Sequence, residues 1–285
     1  MTIDPLDREY HPRVGVPDLA GRFARWQRDS SAARENLPSR LDLRYGPAAA
    51  ETLDLFQAPG SNRPLLIFIH GGYWRALDKN DFSWIAPAYV AAGFSVAALN
   101  YGLAPGTPLP GIVEQMRRAC VWLHRNARDL EIDPLRIICS GHSAGGHLTA
   151  MMLATDWTQI APELPTRLLA GAVAVSGLFD LAPVAKAPFV RDDLKLDDAL
   201  VRQLSPTLLP LHNEVPFLLT VGALETAEFH HQSQLIANHW PRACRDAILD
   251  LPGCNHYTAC EALATPDSPL FQAVCSMLGG RSDAA

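Results

Sequence analysis

Long apolar runs are missing from this chain. The longest stretches, 64–69 and 168–175, fall far short of the ~20 residues that a membrane-spanning helix needs. A basic excess is missing too. The 24 Lys+Arg stand against 30 Asp+Glu, a formal net charge of −6, whereas nucleic-acid phosphates call for clustered Lys and Arg. The start of the chain carries Asp4, Asp7 and Glu9 where a secretory signal needs a basic start and then an apolar run, so a cytoplasmic location is expected. Cysteine is sparse, six in 285 residues with none in Cys-x-x-Cys, which suits reduced thiols rather than a disulfide framework. No Gly-x-Gly-x-x-Gly follows an apolar run, so a nicotinamide or flavin dinucleotide lacks its usual phosphate turn. Ligand spacings such as His-Glu-x-x-His are absent as well, and neither a cofactor nor a metal is expected.

What the chain does have is core. Hydrophobic residues make up 48% and charged residues 19%, a balance that disordered chains do not reach. Short runs without alternation recur at 64–69, 94–99, 136–139, 171–175, 217–221 and 247–251. Such runs suit strands covered on both faces, as in a parallel sheet. Between them lie helical patterns. Ile112, Met116, Ala119, Cys120, Leu123, Ala127 and Leu130 fall on one stripe. Asp81 is placed to cap a helix over 82–92, and helices are also expected at 147–154, 228–240 and 269–278. The alternation implies one α/β domain over 1–285: a twisted, mostly parallel central sheet with helices on both faces. Residues 52–56 alternate and are expected as an earlier antiparallel strand. Two stretches break the rhythm. Residues 1–35, with Tyr10, Phe23 and Trp26 among charges, should cover the main body. Residues 180–212, with four prolines, read as a lid-like insertion.

Gly141-His142-Ser143-Ala144-Gly145 is the strongest motif. It joins an expected strand to an expected helix, the context that a Gly-x-Ser-x-Gly nucleophile turn requires. The small residues let strand and helix approach, and Ser143 is left at the C-terminal edge of the sheet. His70-Gly71-Gly72-Tyr73-Trp74 follows the 64–69 strand. Gly71 and Gly72, with Ala144, are the candidate N–H donors for an oxyanion, while His70 is read as orienting the loop. In the expected chain order an acid and then a histidine come after the serine. Glu225 follows the 217–221 strand and His256 the 247–251 strand, so both leave the same edge as Ser143. Glu228 and Asp180 compete with Glu225 as the acid. His230, His231 and His239 lie on a helix, away from the strand ends.

Taken together, His70-Gly71-Gly72-Tyr73-Trp74, Gly141-His142-Ser143-Ala144-Gly145-Gly146-His147-Leu148 and Asn255-His256 resemble the arylformamidase (kynurenine formamidase) branch of the α/β-hydrolases. Asp78-Lys79-Asn80-Asp81-Phe82, Ser176-Gly177-Leu178-Phe179-Asp180 and Glu228-Phe229-His230-His231-Gln232-Ser233 fit as well. The resemblance runs from about residue 30 to 278, with one departure: the branch usually shows Asp where Glu225 stands. It implies an α/β-hydrolase fold with a small lid or cap, and hydrolysis of N-formyl-L-kynurenine by a Ser143, Glu225, His256 triad. Tyr73, Trp74 and His142 are the candidate pocket residues. A short-chain or aryl carboxylesterase is the alternative reading, and a non-catalytic binding protein on the same fold a distant one. The expected partners are a small aryl amide or ester and, for assembly, a homodimer; neither nucleic acid nor a membrane is expected.

Overall fold

Both faces of the central strands are apolar, and both are covered in the computed structural model, which describes residues 4–13, 16–244 and 248–279. Eight strands form one sheet: β1 (Ser39–Arg44), β2 (Thr52–Phe56), β3 (Arg63–Ile69), β4 (Ser95–Leu99), β5 (Ile132–His142), β6 (Gly171–Val175), β7 (Phe217–Gly222) and β8 (Leu249–Leu251). Their order is β1-β2-β4-β3-β5-β6-β7-β8. β2 pairs antiparallel with β1 and β4, and every later pairing is parallel. This is the mostly parallel, doubly covered sheet that the apolar runs imply.

Successive residues of β3 and β4 enter two separate cores, one per face of the sheet. Leu65, Ile67, Ile69, Ala97 and Leu99 belong to one, and Leu66, Phe68, Val96 and Ala98 to the other. The helices, in chain order, are α1 (Pro5–Tyr10), α2 (Leu19–Asn36), α3 (Ala86–Ala91), α4 (Leu109–Arg125), α5 (Ala144–Leu153), α6 (Trp157–Ile160), α7 (Pro188–Leu194), α8 (Asp198–Leu204), α9 (Ala227–His239), α10 (His256–Ala262) and α11 (Pro269–Gly279). The apolar stripe of α4 packs into the first core with Leu148 and Met151 of α5. Tyr89, Leu270 and Val274 close the second, along with Trp26 of α2. A strand buried on both sides has no polar face to alternate with, hence the unbroken apolar runs.

The helix expected over 82–92 is shorter than the pattern suggested. Pro87 stands in the first turn of α3, where its missing N–H costs nothing. The chain enters through two 3₁₀ turns, Lys79–Asp81 and Ser83–Ile85. Asp78 caps the first of these turns, its carboxylate accepting the Asn80 N–H while Asp81 reaches back to the Asp78 N–H; α3 itself starts after Ile85 with no side-chain cap, so Asp81 does not cap it. β1, at the sheet edge and mostly exposed, has no apolar run and was not anticipated. β8 begins at Leu249, and Ala247 lies outside the described residues.

Because β3, β5, β6, β7 and β8 run parallel, their C-terminal ends share one edge, where such sheets place their ligands. Two segments lie over it. α1 is tied down by the Tyr73 hydroxyl, which donates to the Tyr10 carbonyl, and by the Thr226 hydroxyl, which donates to Glu9 O at 2.6 Å. α7, within the 180–212 stretch, brings Phe189 to the same place, where His11 meets it at 5.1 Å between ring centroids.

Candidate active site

The turn between β5 and α5 stands Ser143 upright. Ser143 has φ 57° and ψ −118°, a conformation that a non-glycine residue takes only when its surroundings force it. Its N–H donates to Val175 O at 2.8 Å, and its carbonyl accepts the His147 N–H at 3.1 Å. The flanking glycines are steric requirements. A Cβ on Gly145 would stand 2.0 Å from the Ile69 carbonyl oxygen, and one on Gly141 would stand 2.2 Å from the Gly145 carbonyl oxygen. Gly145→Ala is therefore expected to cost about 3 kcal/mol by overpacking against backbone, lowering the unfolding temperature by roughly 5–10 °C. Thermal unfolding followed by circular dichroism checks this, and an unshifted transition would show that the turn is looser than described.

The loop after β3 closes over this turn. His70 stacks on Tyr101 at 4.2 Å, with 8° between the ring planes, and its Nδ1–H donates to Gly71 O at 2.8 Å. Burial holds its pKa below the usual histidine value, which keeps it neutral and structural, as its expected orienting part requires. Gly72, Tyr73 and Trp74 follow with φ of 102°, 50° and 56°. At Gly72 a Cβ would meet the Ala76 carbonyl oxygen at 2.2 Å, so glycine alone fits. Among the described residues the N–H groups of Gly72 and Ala144 take no hydrogen-bond partner. That of Ala144 heads α5, where no intrahelical acceptor exists. Gly72 lines the cavity over Ser143; Gly71 is not among its lining residues and packs against the turn, its Cβ position 2.9 Å from His142 O and 3.2 Å from the Ser143 Cβ.

Glu225 and His256 meet at the next strand ends. Glu225 is buried in the turn after β7. Its Oε1 accepts the Gly222 N–H at 2.7 Å and the Ser176 hydroxyl at 2.5 Å, and its Oε2 accepts His256 Nδ1–H at 2.6 Å. His256 opens α10, held by a capping box in which Asn255 accepts from the N–H groups of Tyr257 and Thr258. Its ring lies between His142 and Phe229, with centroids at 4.5 and 4.6 Å. His142 Nε2–H donates to the His256 carbonyl at 2.8 Å, and burial, then the neighbouring His256 charge, pushes the His142 pKa well down. Ser143 and His256 line one cavity of about 170 Å³ without a hydrogen bond between them. Such contacts are often loose until substrate is bound.

The competing acids are engaged elsewhere. Asp180 accepts the Ala182 N–H at 2.9 Å, and Glu228 accepts the Tyr10 hydroxyl at 2.7 Å. Of the three pocket candidates, Tyr73 and His142 line the cavity. Trp74 does not: it is fully buried and stands edge-on to His147 at 5.0 Å. Its ring meets that of Tyr73 edge-on at 6.0 Å but points on into the core beneath the cavity. Ser176, Phe229, Arg13 and Arg75 were not singled out from sequence. For Ser176 a signal existed, since it directly follows β6 at the edge that the other site residues share. Among the described residues, no group of three or more His, Cys, Asp or Glu side chains is gathered closely enough to hold a metal ion.

Residues 53–239 match the BD-FAE family. The chain is 29% identical to a kynurenine formamidase of Salmo salar, over 98% of this chain and 97% of that one. It is 30% identical to the esterase LipQ of Mycobacterium tuberculosis, over 93% of this chain and 66% of that one. The crystal structure of a putative thioesterase from Silicibacter sp. TM1040 superposes with a TM-score of 0.84 at 29% identity, covering 96% of this chain and 99% of the other.

Proposed function

The chain belongs to the BD-FAE family and is a formamidase-like α/β-hydrolase, and within that class we propose that it releases formate from N-formyl-L-kynurenine through Ser143, His256 and Glu225. The observation that carries the reading is the 2.6 Å bond from His256 Nδ1–H to a buried Glu225 carboxylate. It fixes the proton on Nδ1 and leaves Nε2 as an acceptor beside the cavity that Ser143 lines.

The chemistry runs in two halves. His256 Nε2 takes the Ser143 proton as Oγ attacks the formyl carbon. The carbonyl oxygen becomes an oxyanion facing the free N–H groups of Gly72 and Ala144. The C–N bond then breaks, with His256 giving its proton to the departing aryl nitrogen, and the formyl group stays on Oγ. Water, deprotonated by His256, attacks that ester, and collapse releases formate and returns the proton to Ser143. Glu225 stays ionised throughout and steadies the imidazolium.

Incubation with N-formyl-L-kynurenine is expected to yield formate and kynurenine. Across aryl esters kcat/KM should fall steadily from formyl or acetyl to hexanoyl, because the cavity of about 170 Å³ must hold the aromatic part as well. Each methylene shifts selectivity by only ~1–3 kcal/mol, so the decline is graded. The likeness to the esterase LipQ favours a second reading, an aryl carboxylesterase. Good turnover of acetyl esters with none of formylkynurenine would establish that reading and remove the formamidase one.

A further inference from the structure

The cavity over Ser143 carries charge of the opposite sign to the chain. The chain's formal net charge is −6, yet the described residues lining this cavity include two arginines, Arg13 and Arg75, and no Asp or Glu. The two arrive from different places. Arg13 follows α1 in the segment laid over the sheet edge, and Arg75 follows the Gly72–Trp74 turn. Both reach His11: burial first, then the Arg13 charge, hold it below the usual histidine pKa, with Arg75 adding and the Asp7 carboxylate opposing.

Their partners differ. Arg75 pairs with Asp193 of α7 and lies over the Phe189 ring, 5.8 Å from its centroid. Arg13 is exposed, bonds to the Tyr257 phenol and has no carboxylate partner among the described residues. The rings of Tyr73, Phe189 and Tyr257 line the same cavity. An aromatic body between such rings, with its acyl carbon at Ser143, brings a substituent on its other end towards guanidinium groups. Guanidinium recognises carboxylate through paired, charge-assisted hydrogen bonds, and a formal positive charge without a local counter-ion favours an anion there.

We infer that Arg13 and Arg75 form a subsite for a carboxylate carried on the leaving-group side of an aryl ester or amide. The inference rests on the Ser143 reading above and deepens it. Arg13 supplies the larger share, since Asp193 already offsets part of the Arg75 charge.

The test uses phenyl acetate, 3-acetoxybenzoate and 3-acetoxyphenyl phosphate with the full chain. The wild type should favour 3-acetoxybenzoate over phenyl acetate by about tenfold in kcat/KM, mainly through KM, and the preference should shrink in 0.5 M salt. Arg13→Gln should remove most of it. Arg75→Gln should reduce it, whereas Asp193→Asn should keep or raise it. If Asp193→Asn lost the preference as Arg75→Gln does, Arg75 would merely anchor α7 and the paired subsite would fall. Phenyl acetate turnover with no anionic advantage would overturn the subsite and leave the serine-hydrolase reading standing. A phosphate arm well ahead of the carboxylate arm would overturn the carboxylate assignment. No hydrolysis of any of the three would remove both.

Discussion

Ser143→Ala is expected to cut kcat by ~10⁴-fold or more while leaving a folded protein, in line with the loss of a triad nucleophile elsewhere. The side chain is buried, but among the described residues its hydroxyl makes no hydrogen bond, so its removal orphans no partner. Alanine has the same difficulty as serine at φ 57°, so the strained turn is no worse off. The N–H of residue 143 keeps its bond to Val175 O whatever the side chain. Thermal unfolding should therefore match the wild type. A fluorophosphonate should add one equivalent to the wild type at the peptide containing residue 143 and none to the variant. An adduct on another serine, or unaltered turnover by the variant, would dismiss the assignment.

The parts of this site that the sequence discloses are those where backbone and function ask for the same residue. The Gly141–Gly145 turn is readable because the glycines are demanded by 2.0–2.2 Å approaches that no side chain survives. Glu225 and His256 are readable because each directly follows an apolar strand, and parallel strands deliver such residues to one edge. The elements that stayed hidden depend on what lies far away in the chain. β1 is an edge strand held by its ladder with β2 rather than by burial, so it leaves no apolar run. Trp74 shares its left-handed turn with Tyr73 but misses the cavity, a placement made by its packing against His147 of α5, far along the chain. Arg13 and Arg75 are ordinary charged residues until the fold sets α1 against the loop after β3. Propensity and periodicity are local, and none of these placements is.

Glu225→Gln is expected to cost several decades of rate, about 10⁴-fold in kcat, at nearly unchanged stability, as for the corresponding carboxylate-to-amide change in other triads. The surroundings dictate which way the new amide faces. The Gly222 N–H at 2.7 Å can only donate, so the amide oxygen must take the place of Oε1. The amide NH₂ then takes the place of Oε2, 2.6 Å from His256 Nδ1. Two donors cannot share that bond, so Nδ1 becomes the acceptor and the ring proton moves to Nε2. An Nε2 that already carries a proton cannot take one from Ser143. The Ser176 hydroxyl still finds the amide oxygen, which is why folding should barely notice. Asp180→Asn is the matched comparison: its carboxylate accepts the Ala182 N–H and lies outside this network, so its effect on kcat should be small. Steady-state kinetics on one acetyl aryl ester, with unfolding temperatures for both variants, separates the cases. Were Asp180→Asn the more damaging, the acid partner of His256 would come from the end of β6 rather than from β7.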